Sequence, residues 1–170
     1  MGLLKMAVHY SGDGDSEFVP IDLKKAYRMI KPVAMVATKG KKHYDLTPYV
    51  WIMPLDFEPV TRVVFSSDPD HQTVANIRRT GEFAVCFPSE GKEPFIHLCG
   101  TVSNPEADKY GLFKIDADSA EKVDARIPKK SVSGWIEFRL IRIVAEGSVV
   151  LVMGEAVAAY GRPDIFSWAN

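Results

Sequence analysis

Cysteine is scarce: only Cys86 and Cys99 occur in 170 residues. Their separation matches neither a CxxC pair nor a metal-ligand spacing, so the expectation is two reduced, partly buried thiols. The four histidines, His9, His43, His71 and His97, are scattered and suggest no metal site. Basic runs stop at pairs (Lys41-Lys42, Lys129-Lys130) and the formal net charge is −1. Neither nucleic acid nor an anionic membrane is therefore an expected partner. Long apolar runs are missing too. The run from Val149 to Met153 falls far short of the roughly 20 residues a membrane helix needs. The opening MGLLKMAVHY lacks the apolar core and cleavage site of a signal peptide, and Met6 departs from the myristoylation pattern. The expected location is cytoplasmic. No internal repeat is visible.

A hydrophobic fraction of 46% with 25% charged residues is ordinary for a globular protein, and the length suits a single domain over residues 1–170. The most informative stretch runs from Arg62 to Pro88. Arg62 to Ser67 alternates, with Val63 and Phe65 on one face, and reads as a strand. Asp68-Pro69-Asp70 ends it. A short helix follows to Arg79 or Thr80, with Gly81 as its stop, and Glu82 to Phe87 forms the next strand. Ser66, Ser67, His71, Gln72 and Thr73 thus gather polar groups where orphan backbone N–H groups emerge at a helix start. Two readings stay open there: Asp70 or Thr73 caps the helix, or the loop holds a phosphate.

Elsewhere the pattern is mostly strands. Residues 11–16 (SGDGDS) read as a turn, and Ile21 to Ile30 as a short helix stopped by Pro32. Pro32 to Thr38 reads as a buried strand that hairpins through residues 39–42 into a strand from Tyr44 to about Met53. Pro48 inside that strand removes a ladder donor and marks an edge or interruption. The neighbouring Thr47, Tyr49, Val50 and Trp51 would suit a platform for a flat ring, although core packing is the commoner fate of such aromatics. Pro54 to Pro59 reads as loop, Phe95 to Val102 as a short strand, and Asn104 to Phe113 as a helix opened by Pro105. Residues 114–130 read as loop with one helical turn. Two long strands, Trp135–Val144 and Val149–Tyr160, close the chain around a Gly147-Ser148 turn. A bulge is expected near Leu140-Ile141, and a bend or close backbone approach at Gly154. Few long helices and six or more hairpin strands imply a mainly β barrel or sandwich with small helical insertions.

The order PVAMVAT, DLTPYVW, RVVFSS, HQTVANIRRTGEFAVCFPS, a DKY segment and VVLVMGEAVA resembles the flavin reductase-like family, over roughly residues 30–160. The resemblance implies an FMN-binding split β-barrel with small peripheral helices, usually a homodimer, of flavoredoxin type. Matching this chain to the family's segments implies cofactor contacts at Asp45, Thr47, Pro48, Tyr49, Val50 and Trp51 beside the isoalloxazine. It places the phosphate loop at Ser66, Ser67, His71, Gln72 and Thr73, followed by Asn76, and the Asp-Lys-aromatic element at Asp108, Lys109 and Tyr110. The resemblance shifts the reading of the polar loop from cap to phosphate site.

Some residues depart from the family pattern. Asp45 stands where Asn is common, Thr47 where Ala is, and Val50 where Ser is. Many NAD(P)H-using members carry Gly-Asp-His where this chain has Gly147, Ser148 and Val149. The expected role is thus a flavoredoxin-like oxidoreductase or electron carrier using FMN, fed by a redox protein or by NAD(P)H. The alternatives are an NAD(P)H:flavin reductase, and a non-enzymatic split barrel that has lost flavin or binds another ligand such as haem. Phe166 and Trp168 are expected to cover a partner subunit or the flavin site.

Overall fold

A computed structural model describes residues 18–30 and 33–167. The turn expected at residues 11–16, Pro32 and Trp168 lie outside the described residues. The elements in chain order are β1 (Val19–Pro20), a 3-10 turn (Ala26–Met29), β2 (Ala34–Lys39), β3 (Tyr44–Tyr49), β4 (Ile52–Asp56), β5 (Arg62–Ser67), α1 (Gln72–Thr80) and β6 (Glu82–Pro88). Then come α2 (Glu93–Thr101), α3 (Lys109–Leu112), β7 (Asp118–Ser119), β8 (Arg126–Ile127), a second 3-10 turn (Lys129–Ser131), β9 (Val132–Glu146) and β10 (Val149–Gly161).

One antiparallel sheet dominates, in the order β3-β2-β6-β9-β10-β5-β4, with β1 added against β10. β3 and β4 lie at opposite ends of this order, yet only Val50 and Trp51 separate them in sequence. A flat sheet cannot bring its two ends within two residues, so the sheet curls on itself. The seam is not laddered. The result is a split barrel with small peripheral helices, as expected.

Alternation along the strands builds two cores. Ala34, Val36, Phe65, Phe83, Val85, Ile136, Phe138 and Val152 fill the barrel interior. Met35, Ala37, Leu46, Ala84, Cys86 and Trp135 point the other way and are covered by Cys99 of α2 and by the ribbon carrying Val123, Ala125 and Ile127. Both cysteines are free and buried. Gly154 is the predicted close approach: a Cβ there would stand 2.5 Å from the Phe83 ring and 3.1 Å from Phe138 Cβ. The ladder slips opposite Ile141, placing the bulge where the switch of apolar face indicated it. Gly81 takes φ 72° and stops α1 in the left-handed conformation.

Several expectations are corrected. The strand expected over Tyr44–Met53 is two strands, because after Pro48 the chain leaves one sheet end at Tyr49 and joins the other at Ile52. The loop expected from Pro54 is still strand as far as Asp56. Phe95–Val102 lies mostly in helix α2, where Cys99 covers the sheet while Leu98 and His97 stay exposed. Three-residue spacing and two-residue alternation cannot be told apart in so short an apolar run. The helix expected from Asn104 is only Lys109–Leu112. Asn104 instead makes a turn, its Oδ1 accepting from Glu106 N at 2.9 Å. Residues 114–130 contain the two-stranded β7–β8 ribbon besides a 3-10 turn. The first helix shrinks to Ala26–Met29.

Candidate functional site

The polar residues singled out in β3, in the loop after β5 and at Lys109 converge although they are far apart in sequence. A small pocket is lined by Asp45 and Thr47 of β3, by His71, Gln72 and Thr73 at the start of α1, by Cys99 and Gly100 in the last turn of α2 with Val102, Ser103 and Asn104 after it, and by Lys109. β3 delivers Asp45 and Thr47 to one side because they are two residues apart on a strand. His71 is the N-cap of α1, and its side chain makes no capping bond. Neither Asp70 nor Thr73 occupies the N-cap. The positive end of α1, with Gln72 and Thr73 in its first turn, therefore faces the pocket.

Under the pocket lies a charged network. Lys109, only 4% exposed, sets Nζ 2.7 Å from Asp45 Oδ1. It also donates to Leu46 O at 3.1 Å and to Thr47 Oγ1 at 3.2 Å. Asp45 Oδ2 accepts from Thr47 Oγ1 at 2.9 Å and from Thr73 Oγ1 at 3.5 Å. Behind it runs a second chain: Tyr49 OH lies 2.9 Å from Ser67 Oγ and 3.2 Å from His71 Nδ1. Burial raises the Tyr49 hydroxyl pKa above its ordinary value, so it stays protonated at neutral pH. Asn76 donates to Thr38 Oγ1 at 3.0 Å and accepts from Gln72 Nε2 at 2.7 Å, which fixes α1 against β2.

The other members of the set are divided by the pleat. Ser67 faces inward toward Tyr49, whereas Ser66 faces outward. Outside, Ser66 joins Val50, Trp51, Met53, Val64 and Leu151 around a cleft of about 310 Å³. Trp51 is 69% exposed and Tyr49 only 7%, so of the two expected platform aromatics one is core and the other is surface. Pro48 packs near Gly100, where an added Cβ would lie 3.2 Å from Pro48 Cγ. Phe166 is buried inside its own chain against Gly161. Sequence reasoning missed Ser103, Asn104 and Leu151. Asn104-Pro105 was visible as a helix start, but its closeness to β3 is a tertiary fact. Among the described residues there is no cluster of groups able to hold a metal ion, and no helix long and apolar enough to cross a membrane.

Comparison with known proteins matches residues 26–168 to the family described as "Flavin reductase like domain". A protein of Methanothermobacter thermautotrophicus is 28% identical over 144 residues, which cover 80% of this chain and 66% of that relative's length. A flavoredoxin from Methanosarcina acetivorans is 25% identical, with a TM-score of 0.69 over 76% of this chain and 68% of its own. An FMN-binding domain of a flavin reductases-like enzyme from Shewanella baltica superposes with a TM-score of 0.77 at 20% identity, covering 92% of this chain and 83% of its own. These findings support a flavin-related oxidoreductase or FMN-binding role.

Proposed function

Because the chain belongs to the flavin reductase like domain family, we propose that it is an FMN-binding flavoprotein that carries electrons in the manner of a flavoredoxin. The observation that carries this reading is the pocket in which the open helix start at His71-Gln72-Thr73 meets Asp45 and Thr47 of β3, the strand that leads into the Val50–Trp51 connection. The donor set fits the cofactor. His71, Gln72 and the first-turn amides of α1 would hold the phosphate, and the Val50–Trp51 connection with Leu151 would carry the ring. Bound FMN would supply the redox chemistry, and the chain would supply orientation and exclusion of water.

The chain's own residues have definable tasks. Tyr49, held by Ser67, keeps the His71 imidazole oriented through Nδ1. Asn76 keeps Gln72 at the pocket rim. Val149, where an imidazole would stand in nicotinamide-using members, begins β10 beside Val150, which pairs with Ser67. With no acid–base group at that position, a redox protein is the favoured electron donor over a directly bound nicotinamide.

A homodimer is part of the same proposal. Trp51 and Met53 project from the outer face of the β4–β5–β10 end, with Val64 and Leu151 beside them, forming an apolar patch that a second copy would close over with the ring held between the two. The test is the visible spectrum of the purified protein, as isolated and after addition of FMN and desalting. Retained flavin bands support the reading; loss of all flavin, with no quenching in an FMN fluorescence titration, refutes it. Anaerobic NADH and NADPH should leave the bound flavin oxidised, and rapid bleaching would assign a flavin reductase instead.

A further inference from the structure

Lys109 is the cation nearest the pocket and would ordinarily be assigned to a phosphate. Its geometry says otherwise. An ammonium group has three N–H donors, and Lys109 aims at three acceptors of its own chain: Asp45 Oδ1 at 2.7 Å, Leu46 O at 3.1 Å and Thr47 Oγ1 at 3.2 Å. Asp45 is likewise engaged, by Lys109, Thr47 and Thr73. The network is closed and its two formal charges cancel. It spans three elements: α3 supplies Lys109, β3 supplies Asp45 and Thr47, and the first turn of α1 supplies Thr73.

We infer that Lys109 is a positioning residue and not a ligand of the cofactor: it is the strut that ties α3 to β3 and holds the Asp45 carboxylate where its Oδ2 meets Thr73 at the start of α1. This inference rests on the FMN reading for what the strut positions, but the strut itself is a property of the folded chain. Recognition of the phosphate then falls to the helix start and to His71 and Gln72. Asp45 also acquires a reason. A carboxylate stands where the family commonly has an amide, and it is tolerated because the buried ammonium beside it is fully committed to it and its neighbours.

The two assignments separate in a double-mutant cycle, because a strut can be replaced by a neutral pair and a ligand cannot. The variants are Lys109→Met, Asp45→Asn and the double, assayed for thermal midpoint and for Kd of FMN and of riboflavin by flavin fluorescence. Lys109→Met leaves a buried carboxylate unpaired. A fall of about 10 °C in Tm and a loss of roughly tenfold or more in FMN affinity are expected. The double variant removes the charge with its partner and should recover most of both. The ratio of riboflavin Kd to FMN Kd isolates the phosphate, and it should stay within about twofold of the wild-type ratio in the double variant.

Three outcomes would overturn the inference. An unchanged Tm in Lys109→Met removes the strut. Recovery of Tm in the double variant without recovery of FMN affinity makes Lys109 a ligand. A riboflavin-to-FMN ratio that collapses toward one in the double variant places it on the phosphate. If the wild-type protein binds neither flavin, the proposed function fails separately, and the Tm cycle alone decides the strut.

Discussion

The sheet has two halves that obey different rules. Where β3, β2, β6 and the start of β9 run together, both faces are buried: inward residues fill the barrel, and outward residues pack under α2, α3 and the β7–β8 ribbon. Where the end of β9 continues beside β10, β5 and β4, the outer face is bare, and Val144, Ile141, Met53 and Trp51 are exposed. β9 makes the contrast within one strand. Val132 to Phe138 are all buried, and from Arg139 onward its residues are exposed or half-buried. A doubly covered sheet needs near-continuous apolar sequence, while a singly covered one needs only alternation. The bare half nonetheless keeps apolar residues outside, and this is the face that the proposed second copy would cover.

The largest effect should come from the covered half. Glu137 is fully buried on its outer face and accepts from Trp135 Nε1 at 2.9 Å, Glu121 N at 3.0 Å and Lys122 N at 2.6 Å. Glu137→Ala strands those three donors and should cost about 3 kcal/mol or more in urea unfolding. A cost below about 1 kcal/mol would mean that the ribbon does not depend on this carboxylate. Next is the barrel interior that both halves share. Gly154→Ala drives a methyl into the stacked Phe83–Phe138 pair and should cost about 1–3 kcal/mol.

A third effect separates the halves by pH. Burial raises the Cys99 thiol from 9.0 to about 11, and burial also raises the hydroxyls of Tyr49 and Tyr110 above their ordinary 10.0. A raised folded-state pKa gives stability that is complete below the unfolded value and is lost as pH rises toward the folded one. Unfolding free energy should therefore begin to fall above pH 9, on the order of 1 kcal/mol per pH unit for Cys99, and more steeply above pH 10 as the tyrosines join. Burial raises the Cys86 thiol too, so Cys99→Ala should leave the onset near pH 9 and roughly halve the slope between pH 9 and 10, measured by urea titration across the alkaline range.

The smallest stability effect, and the clearest contrast, should come from the bare half. Trp51→Ala should change chain stability by less than about 0.5 kcal/mol. The same change should shift the protein toward monomer in sedimentation at micromolar concentration. A monomeric wild type, or an unshifted variant, would leave the exposed face without the proposed partner.

Local patterns carried most of the strand plan. Alternation located β5, β6, β9 and β10, Gly81 marked the end of α1, and the change of apolar face at Leu140-Ile141 located the bulge, because period-2 burial and left-handed glycine stops are properties of a few consecutive residues. Pro48 marked β3 as unusual, and β3 is indeed at a sheet edge, where a missing donor costs little. The same local signals failed over Phe95–Thr101 and over residues 114–130, where the covering layer takes its shape from the sheet beneath it.

The residue types of the candidate pocket were legible one segment at a time, but their meeting was not. Asp45 and Lys109 are joined only because α3 packs on the edge strand β3, and Thr73 joins them only because α1 starts beside that strand. Ser66 and Ser67, adjacent in sequence, end on opposite faces of β5, one in the outer cleft and one in the core. Period, breaker residues and turn chemistry lie in the chain because they act over a few bonds. Which side chains spend their hydrogen bonds on one another, and which face a ligand, depends on groups dozens of residues apart, and only the closed barrel brings them within reach.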